Sequence, residues 1–588
     1  MRSVFAIAVA VITAISSSRA VAAPAVVATD PLPPQTQLAA FRLPPGFEIQ
    51  LVAAEPMIQK PMNMAFDGRG RLWVTHSVEY PFAAPAEATP RDGLTVLDDF
   101  GPDGRARKAT RFADGLNIPI GVLPLPCTDP TGRGQEVIVW SIPHIWKLTD
   151  TDGDGRADRR EVLYGPFAFD DTHGNQNSFR LAADGWIYAN HGFRNQSRVK
   201  LGGAGPDVLE LKSGNGYRFR PDGSAIEQVS WGQVNPFGMD FDALGNRFNA
   251  DCHSRPLTML LRGGRYMSPF GSRNADYDDG LGPAPETTVD GHGSTGICAV
   301  AICDTAKMPP AYQGSVFVGN VVTNVVHRDV IEWRGSSPWV EKPEEFLACD
   351  DQWFRPVDFA IGPDGGLYVA DFYNCIIGHY EVDLKHPRRD RERGRIWRVV
   401  WKEVGAATGL PDLSRLETAD LAALLDALTE TLRRLAFDQL VERGRTDPAI
   451  AATLRGPAAG EHRRARSLRA LGLLGQLDEA TIGARRGRRL AAGPRAPREG
   501  DRGLVRLRSV ARTPAPRAAH RRRPVRTPRG GRGVCSPPVA RRGAGPPGRP
   551  ARHRHRRRAT DPCPTDGDRG AAAVGHARVA GRDSRDRA

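Results

Sequence analysis

A chain of 588 residues is long enough for two to four domains. Its net charge of +14 is unevenly spread: Thr481–Ala588 holds 30 Arg, no Lys and 7 acids, a net of +23, which leaves about −9 for Met1–Ala480. The long front part therefore lacks the electrostatic footprint of a nucleic-acid binder.

Residues 1–22 read as a secretory signal. Arg2 gives the positive start, Val4–Ile15 a short apolar run, and Ala20-Val21-Ala22 a small-residue cleavage site. The run is too short to span a bilayer. Cleavage near Ala23 predicts a periplasmic or secreted protein; an uncleaved anchor is the alternative. Residues 23–42 are rich in Pro and Ala and predict a flexible lead-in. Export permits disulfides, with Cys127, Cys252, Cys298, Cys303, Cys349 and Cys375 as candidates. Cys298 and Cys303 could bridge neighbouring turns, or all six could be buried thiols. No C-x-x-C-H occurs, so this chain has no c-type haem attachment motif.

Residues 43–402 repeat one theme: an alternating apolar run, an acidic Gly turn, then an alternating strand. It recurs at Met64–His76, Phe179–His191, Met239–Asp251 and Phe359–Asp371, and more loosely at Ile118–Leu148 and Ile297–Trp333. Each is a hairpin signal. Six such units predict a mainly β fold, a six-bladed β-propeller, over an open sandwich. Asp67, Asp184, Asp240 and Asp364 are assigned to the turns and set aside as ligands.

Within the second unit, DTDGDGRADRRE matches the calcium-loop pattern at every position. Asp150, Asp152 and Asp154 offer oxygens, Arg156 its carbonyl, Asp158 a water-mediated contact and Glu161 a bidentate close. The flanking segments look extended, so this is no EF-hand; a solvated acidic turn is the plain alternative. Downstream stands His173, a residue type that titrates near neutrality, with Asp170 or Asp171 placed to orient it. His76, His191, His253 and His379 stand at or just after strand ends, which in a propeller can converge on one channel mouth as a cofactor or metal site. Arg388–Arg395 reads as an ion-pair network.

Residues 412–480 change to helical spacing and predict truncated HEAT-like repeats, with a single helical hairpin docked on the propeller as the simpler form. Residues 481–588 contain no Phe, Trp, Tyr, Met, Lys, Asn or Gln. Their Arg/Gly/Ala/Pro composition predicts a disordered tail, the product of a frameshift near Ala480. An Arg-rich arm for anionic surfaces is the rival.

Four segments carry a resemblance: Pro44–Pro56, Asp150–Leu163, Asp171–Gly192 and Phe354–Val399. Over Leu43 to Ala480 the chain resembles a family of secreted bacterial proteins described as membrane-bound dehydrogenases, which join a propeller to HEAT repeats and a c-type haem domain. More distantly it is similar to soluble sugar dehydrogenases that use pyrroloquinoline quinone (PQQ) and calcium. That likeness implies His173, upstream of Arg180-Leu181, as the base. It implies Arg194, Asn195, Gln196 and Asn235 at the cofactor; the strand-end reading adds His191 to that group and Asp171 as the residue that orients the base. Val234 stands where the quinone motif has an arginine. The implied activity is oxidation of a small sugar or alcohol, with electrons passed to a c-type cytochrome or other haem acceptor and peripheral membrane association. A non-catalytic binding scaffold and a calcium-dependent hydrolase or lactonase are the alternatives.

Overall fold

The computed structural model describes residues 25–266, 287–288, 291–340, 344–376, 382–404, 412–458 and 460–486. The predicted signal peptide, His379 and the tail beyond 486 lie outside these residues.

Six sheets stand around one axis. Their inner strands are Pro61–Phe66, Val122–Pro124, Asn177–Leu181, Asn235–Phe241, Ile297–Ile302 and Pro356–Ile361, and each touches the next until the sixth meets the first. This is the six-bladed propeller expected from the repeats. Blade 1 continues through Leu72–His76, Asp92–Phe100 and Ala106–Leu116. Among the described residues blade 4 has Arg247–Cys252 and Thr258–Leu260 after its inner strand. Blade 2 gains an outer hairpin, Gln196–Leu201 with Leu209–Lys212, lent by a long connection in blade 3.

The acidic Gly motif makes the first turn of a blade. Asp67 Oδ1 accepts from the Arg69 and Arg71 N–H groups at 2.9 and 3.0 Å, and Gly70 supplies φ +74°. Asp184, Asp242 and Asp364 serve the same role in blades 3, 4 and 6. Asp240, expected in a turn, instead lies on the inner strand of blade 4; the turn residue of MDFDALGN is Asp242. Two Asp separated only by Phe241 made the assignment ambiguous.

The ring is closed by the N-terminal end of the propeller. Phe47–Ala54 forms the outermost strand of blade 6, antiparallel to Arg395–Trp401. Inner strands are also stapled across blades by side chains: Asp240 Oδ2 accepts from Ile302 N–H at 3.0 Å, Asp358 Oδ2 from Met64 N–H at 2.7 Å, and Ser178 Oγ from Gly238 N–H at 2.9 Å.

The lead-in is packed, contrary to the flexible segment expected from composition. Helix α1 (Pro34–Leu38) buries Gln37, whose Nε2 donates to Asp371 Oδ2 at 2.9 Å, and Val27 N–H donates to Cys375 O at 2.8 Å. Proline there fixes the first helical turn.

Among the described residues five helices follow the propeller: α2 (Thr418–Ala423), α3 (Glu430–Gly444), α4 (Ala449–Arg455), α5 (Glu461–Leu473) and α6 (Glu479–Arg486). Thr429 caps α3 by accepting from Leu432 N–H. Leu421, Leu425, Phe437, Leu440 and Leu471 share one buried cluster with Met64, Phe66 and Leu72 of blade 1 and Ala370 and Ile396 of blade 6. The helices are thus part of the propeller's core and cover its floor. Glu430 N–H donates to Asp304 O of blade 5 at 2.8 Å, and Gln439 Nε2 donates to Cys127 O of blade 2 at 3.1 Å. Blades 5 and 2 face one another across the ring, so α3 crosses the channel floor. None of the described helices is long and apolar enough to cross a membrane. Cys127, Cys252, Cys298, Cys303, Cys349 and Cys375 are free thiols, so no disulfide joins them.

Candidate functional site

The opposite end of the channel, the mouth, carries His173. Asp171 N-caps a short 3-10 turn, Thr172–Gly174, and accepts from His173 N–H at 3.0 Å. The same Oδ1 lies 3.2 Å from His173 Nδ1. A carboxylate at Nδ1 favours the tautomer with its lone pair on Nε2 and stabilises a proton gained there. The loop is pinned from beneath by Asn195: its Oδ1 accepts from Asp171 N–H at 3.0 Å, and its Nδ2 donates to Asp171 O and Gly174 O, both at 2.9 Å.

An aromatic row links this loop to the far side of the mouth. The Tyr80 ring lies 5.0 Å from His173 and 5.8 Å from Phe372, and Phe372 N–H donates to Arg355 O at 2.9 Å. Arg355 heads the inner strand of blade 6, and Asn175 and Gln176 head that of blade 3. These three are buried yet, among the described residues, keep polar atoms without a protein partner: Nε and Nη2 of Arg355, and both amide heavy atoms of Asn175 and Gln176. Buried polar groups are nearly always hydrogen-bonded. Such a set at two facing strand ends suits a polar, oxygen-rich ligand. Burial also lowers the Arg355 pKa to about 10, with Asp371 and Asp351 opposing.

The family model "Domain of unknown function (DUF7133)" matches residues 33–403. The chain belongs to the DUF7133 family. No curated protein matches the sequence. Among solved structures, this DUF7133 propeller is similar to the PQQ domain of a pyranose dehydrogenase from Coprinopsis cinerea in its holo form, with 14% identity over 61% of this chain and 97% of that one and a TM-score of 0.38. It is similar to the PQQ-bound aldose sugar dehydrogenase of Streptomyces coelicolor, with 14% identity over 61% and 100% of the two chains and a TM-score of 0.37. It also resembles the apo form of the soluble aldose sugar dehydrogenase of Escherichia coli, with 14% identity over 60% and 99% and a TM-score of 0.36. Likeness at this level says nothing of activity.

The other residues expected at the cofactor divide sharply. Asn195 is committed to the His173 loop. Gln196 is exposed on the hairpin lent to blade 2. Asn235 Oδ1 accepts from Phe193 N–H at 3.1 Å and so braces the next loop. His191 is fully buried: Nδ1–H donates to Ser213 O at 2.7 Å and Nε2 accepts from Ser197 Oγ at 2.8 Å. Burial pushes its pKa down to about 4, with the Ser213 hydrogen bond opposing. Arg194 is exposed at the rim with φ +62°. Val234 is buried, and its N–H donates to Asp251 Oδ2 at 2.9 Å. Asp251 also accepts from Asn235 N–H at 2.6 Å, and burial raises its pKa to about 7. The residues matched by motif thus brace the mouth, and it is Arg355, Asn175 and Gln176 that fit a carboxylated quinone. The sequence signal for Asn175 and Gln176 was the polar run GNQN at the start of an inner strand.

His76 is also spoken for. Its Nε2 lies 3.1 Å from Thr95 Oγ1, and burial, with Arg111 alongside, lowers its pKa to about 3. His253 follows the second strand of blade 4 at φ +79°, its ring 6.4 Å from Phe193. Asp371 ties the head of the blade 6 inner strand, accepting from Arg355 and Tyr373 N–H groups at 2.8 and 2.9 Å. The basic run forms ion pairs as expected: Arg393 with Asp390 at 2.5 Å and Arg395 with Glu55 at 3.0 Å. Asp390 also holds the buried Lys60 ammonium at 2.6 Å.

The acidic loop lies between the third and fourth strands of blade 2, away from the inner ring. Asp150, Asp152 and Asp158 bring oxygens within 4.8 Å of one another, the one such acidic group among the described residues. Asp150 is buried and accepts from the Gly153 and Gly155 N–H groups at 2.7 and 2.8 Å, which fixes the loop. Asp154 turns away to accept from Arg156 N–H at 2.7 Å. Glu161 sits on the next strand, 3.4 Å from Lys147 Nζ. Three converging carboxylates fit a hard cation of calcium type, with fewer protein oxygens than the full twelve-residue pattern offers.

Proposed function

We propose that the mouth of this propeller oxidises a hydroxyl of a small sugar or alcohol, with His173 as the proton acceptor. The His173–Asp171 pair beside the unpartnered groups of Asn175, Gln176 and Arg355 carries this reading. A quinone of the PQQ class, bound by those three residues, would supply two-electron chemistry that accepts a hydride. Asp171 holds the imidazole and stabilises the proton that His173 takes from the hydroxyl. The Arg355 guanidinium, rigid and forked, matches carboxylate or quinone oxygens. Tyr80 and Phe372 line one side and exclude water. The reading also rests on the resemblance of Asp171–Gly192 and Phe354–Val399 to secreted dehydrogenases. That resemblance supports a location in the periplasm or outside the cell, with a c-type cytochrome or other haem protein as electron acceptor. Calcium at Asp150, Asp152 and Asp158 would act as a structural staple. The calcium-dependent lactonase reading has no such acidic group in the channel among the described residues.

Dye-linked oxidation of a sugar and alcohol panel by the full chain with added PQQ tests this. We expect turnover on at least one class, reduced by about 100-fold or more in His173→Ala. Equal turnover in that variant, or none on any substrate with PQQ bound, would refute the reading.

A further inference from the structure

The floor of the channel is a separate place from the mouth. Between α3 and the lower ends of all six inner strands lies a cavity of about 350 Å³. Three guanidinium groups from three elements line it: Arg180 from the blade 3 inner strand, Arg434 from α3 and Arg469 from α5. Arg466, beside them, is already held by Glu430 at 2.6 Å. The other three differ. Arg180 donates only to Phe179 O, at 3.1 Å, and neither Arg434 nor Arg469 has an ion pair within 4.0 Å among the described residues. Five carboxylates also line the cavity, and among the described residues none contacts these three guanidiniums. Asp184 pairs with Arg218 at 2.7 Å, Glu430 with Arg433 and Arg466, and Asp242 accepts from Asn246 in its turn. Asp240 is occupied by the Ile302 and Phe241 N–H groups at 3.0 and 2.9 Å, and Asp438 forms no ion pair within 4.0 Å among the described residues.

We propose that this chamber is a second binding site, which takes a small anion whose carboxylate or phosphate oxygens are gripped by Arg180, Arg434 and Arg469. Planar guanidinium forks match those oxygens in pairs. The apolar walls, Met64, Phe179 and Phe437 among them, strengthen the attraction by excluding water. The size suits a ligand of a few to about a dozen heavy atoms. Arg469 is exposed and marks the open side, away from the mouth. Burial raises the pKa of Asp438 to about 7, with Arg434 and Arg466 opposing, so its carboxyl competes weakly for the guanidiniums. The proposal is independent of the mouth chemistry.

Calorimetric titration of the full chain with inorganic phosphate and with gluconate, each at ionic strength fixed with chloride, separates the two oxygen sources. We expect saturable one-to-one binding of one of them. Arg434→Gln, checked for native fold by circular dichroism, should weaken it about tenfold or more, and His173→Ala should leave it unchanged. Absence of binding by either anion, or equal affinity in folded Arg434→Gln and Arg180→Gln, would overturn the proposal.

Discussion

Asn195 and Asp171 exchange a pair of hydrogen bonds: Asp171 N–H donates to Asn195 Oδ1 at 3.0 Å, and Asn195 Nδ2 donates back to Asp171 O at 2.9 Å. The amide stands in for a strand partner and sets the turn from which Asp171 reaches His173. Asn195 is therefore a positioning residue. Asn195→Ala should lower kcat by about 10- to 100-fold and shift the acidic limb of the kcat/KM pH profile, because Asp171 no longer holds the imidazole. Denaturation should show a loss of about 1–3 kcal/mol. A variant with the same stability loss but an unmoved pH profile would reduce Asn195 to scaffolding.

The helices are as much a part of the propeller as its blades. Phe437 is 3% exposed and packs in the cluster that joins α3 to blades 1 and 6. Phe437→Ala should destabilise the whole propeller by about 3–5 kcal/mol, read as a lower midpoint in urea by both tryptophan fluorescence and far-ultraviolet dichroism. Loss of helical signal alone, with the β transition unmoved, would show two independent units.

His191 predicts an acid-side loss of stability. Folded, it stays neutral down to about pH 4; unfolded, it takes a proton near 6.5. Between those values the unfolded state binds more protons, so stability is full above 6.5 and falls as pH drops towards 4. The size is of the order of 3 kcal/mol. Asp251, raised to about 7, has the opposite sense: its contribution is lost as pH rises from about 4 to 7. The comparison is therefore the difference between wild type and His191→Gln as a function of pH, which should shrink as pH falls from 6.5 to 4. A flat difference contradicts the assignment.

Calcium should raise the melting temperature with a Kd of about 0.1–1 mM, the range of extracellular sites. Asp150→Asn should abolish the effect and Glu161→Gln should leave it, since Glu161 pairs with Lys147 on the strand. Loss in both variants would mean that Glu161 swings in to complete the shell.

Much of the fold was legible because a propeller is a local device repeated. The Asp and Gly of the turn, flanked by alternating apolar residues, marked the inner hairpins of blades 1, 3, 4 and 6, and the remaining two units followed the theme more loosely. Long-range relations left no such trace. Nothing in FEIQLVAA says that it pairs with a strand some 350 residues away. Nor does the apolar face of α3 say that it covers a channel. At the site, His173 and Asp171 were readable from their spacing. Asn195, Asn235 and His191 were expected at the cofactor, and in the structure their side chains bond to backbone groups of the mouth loops. The place of Arg355 across the mouth from Asn175 follows only from ring closure.

The most direct test of the central claim is equilibrium titration of the full chain with PQQ, followed by cofactor absorbance and tryptophan quenching. The account predicts stoichiometric binding, weakened about tenfold or more in Arg355→Gln and in Asn175→Ala, with the fold retained. Absence of binding at saturating PQQ, or binding indifferent to both substitutions, would contradict it.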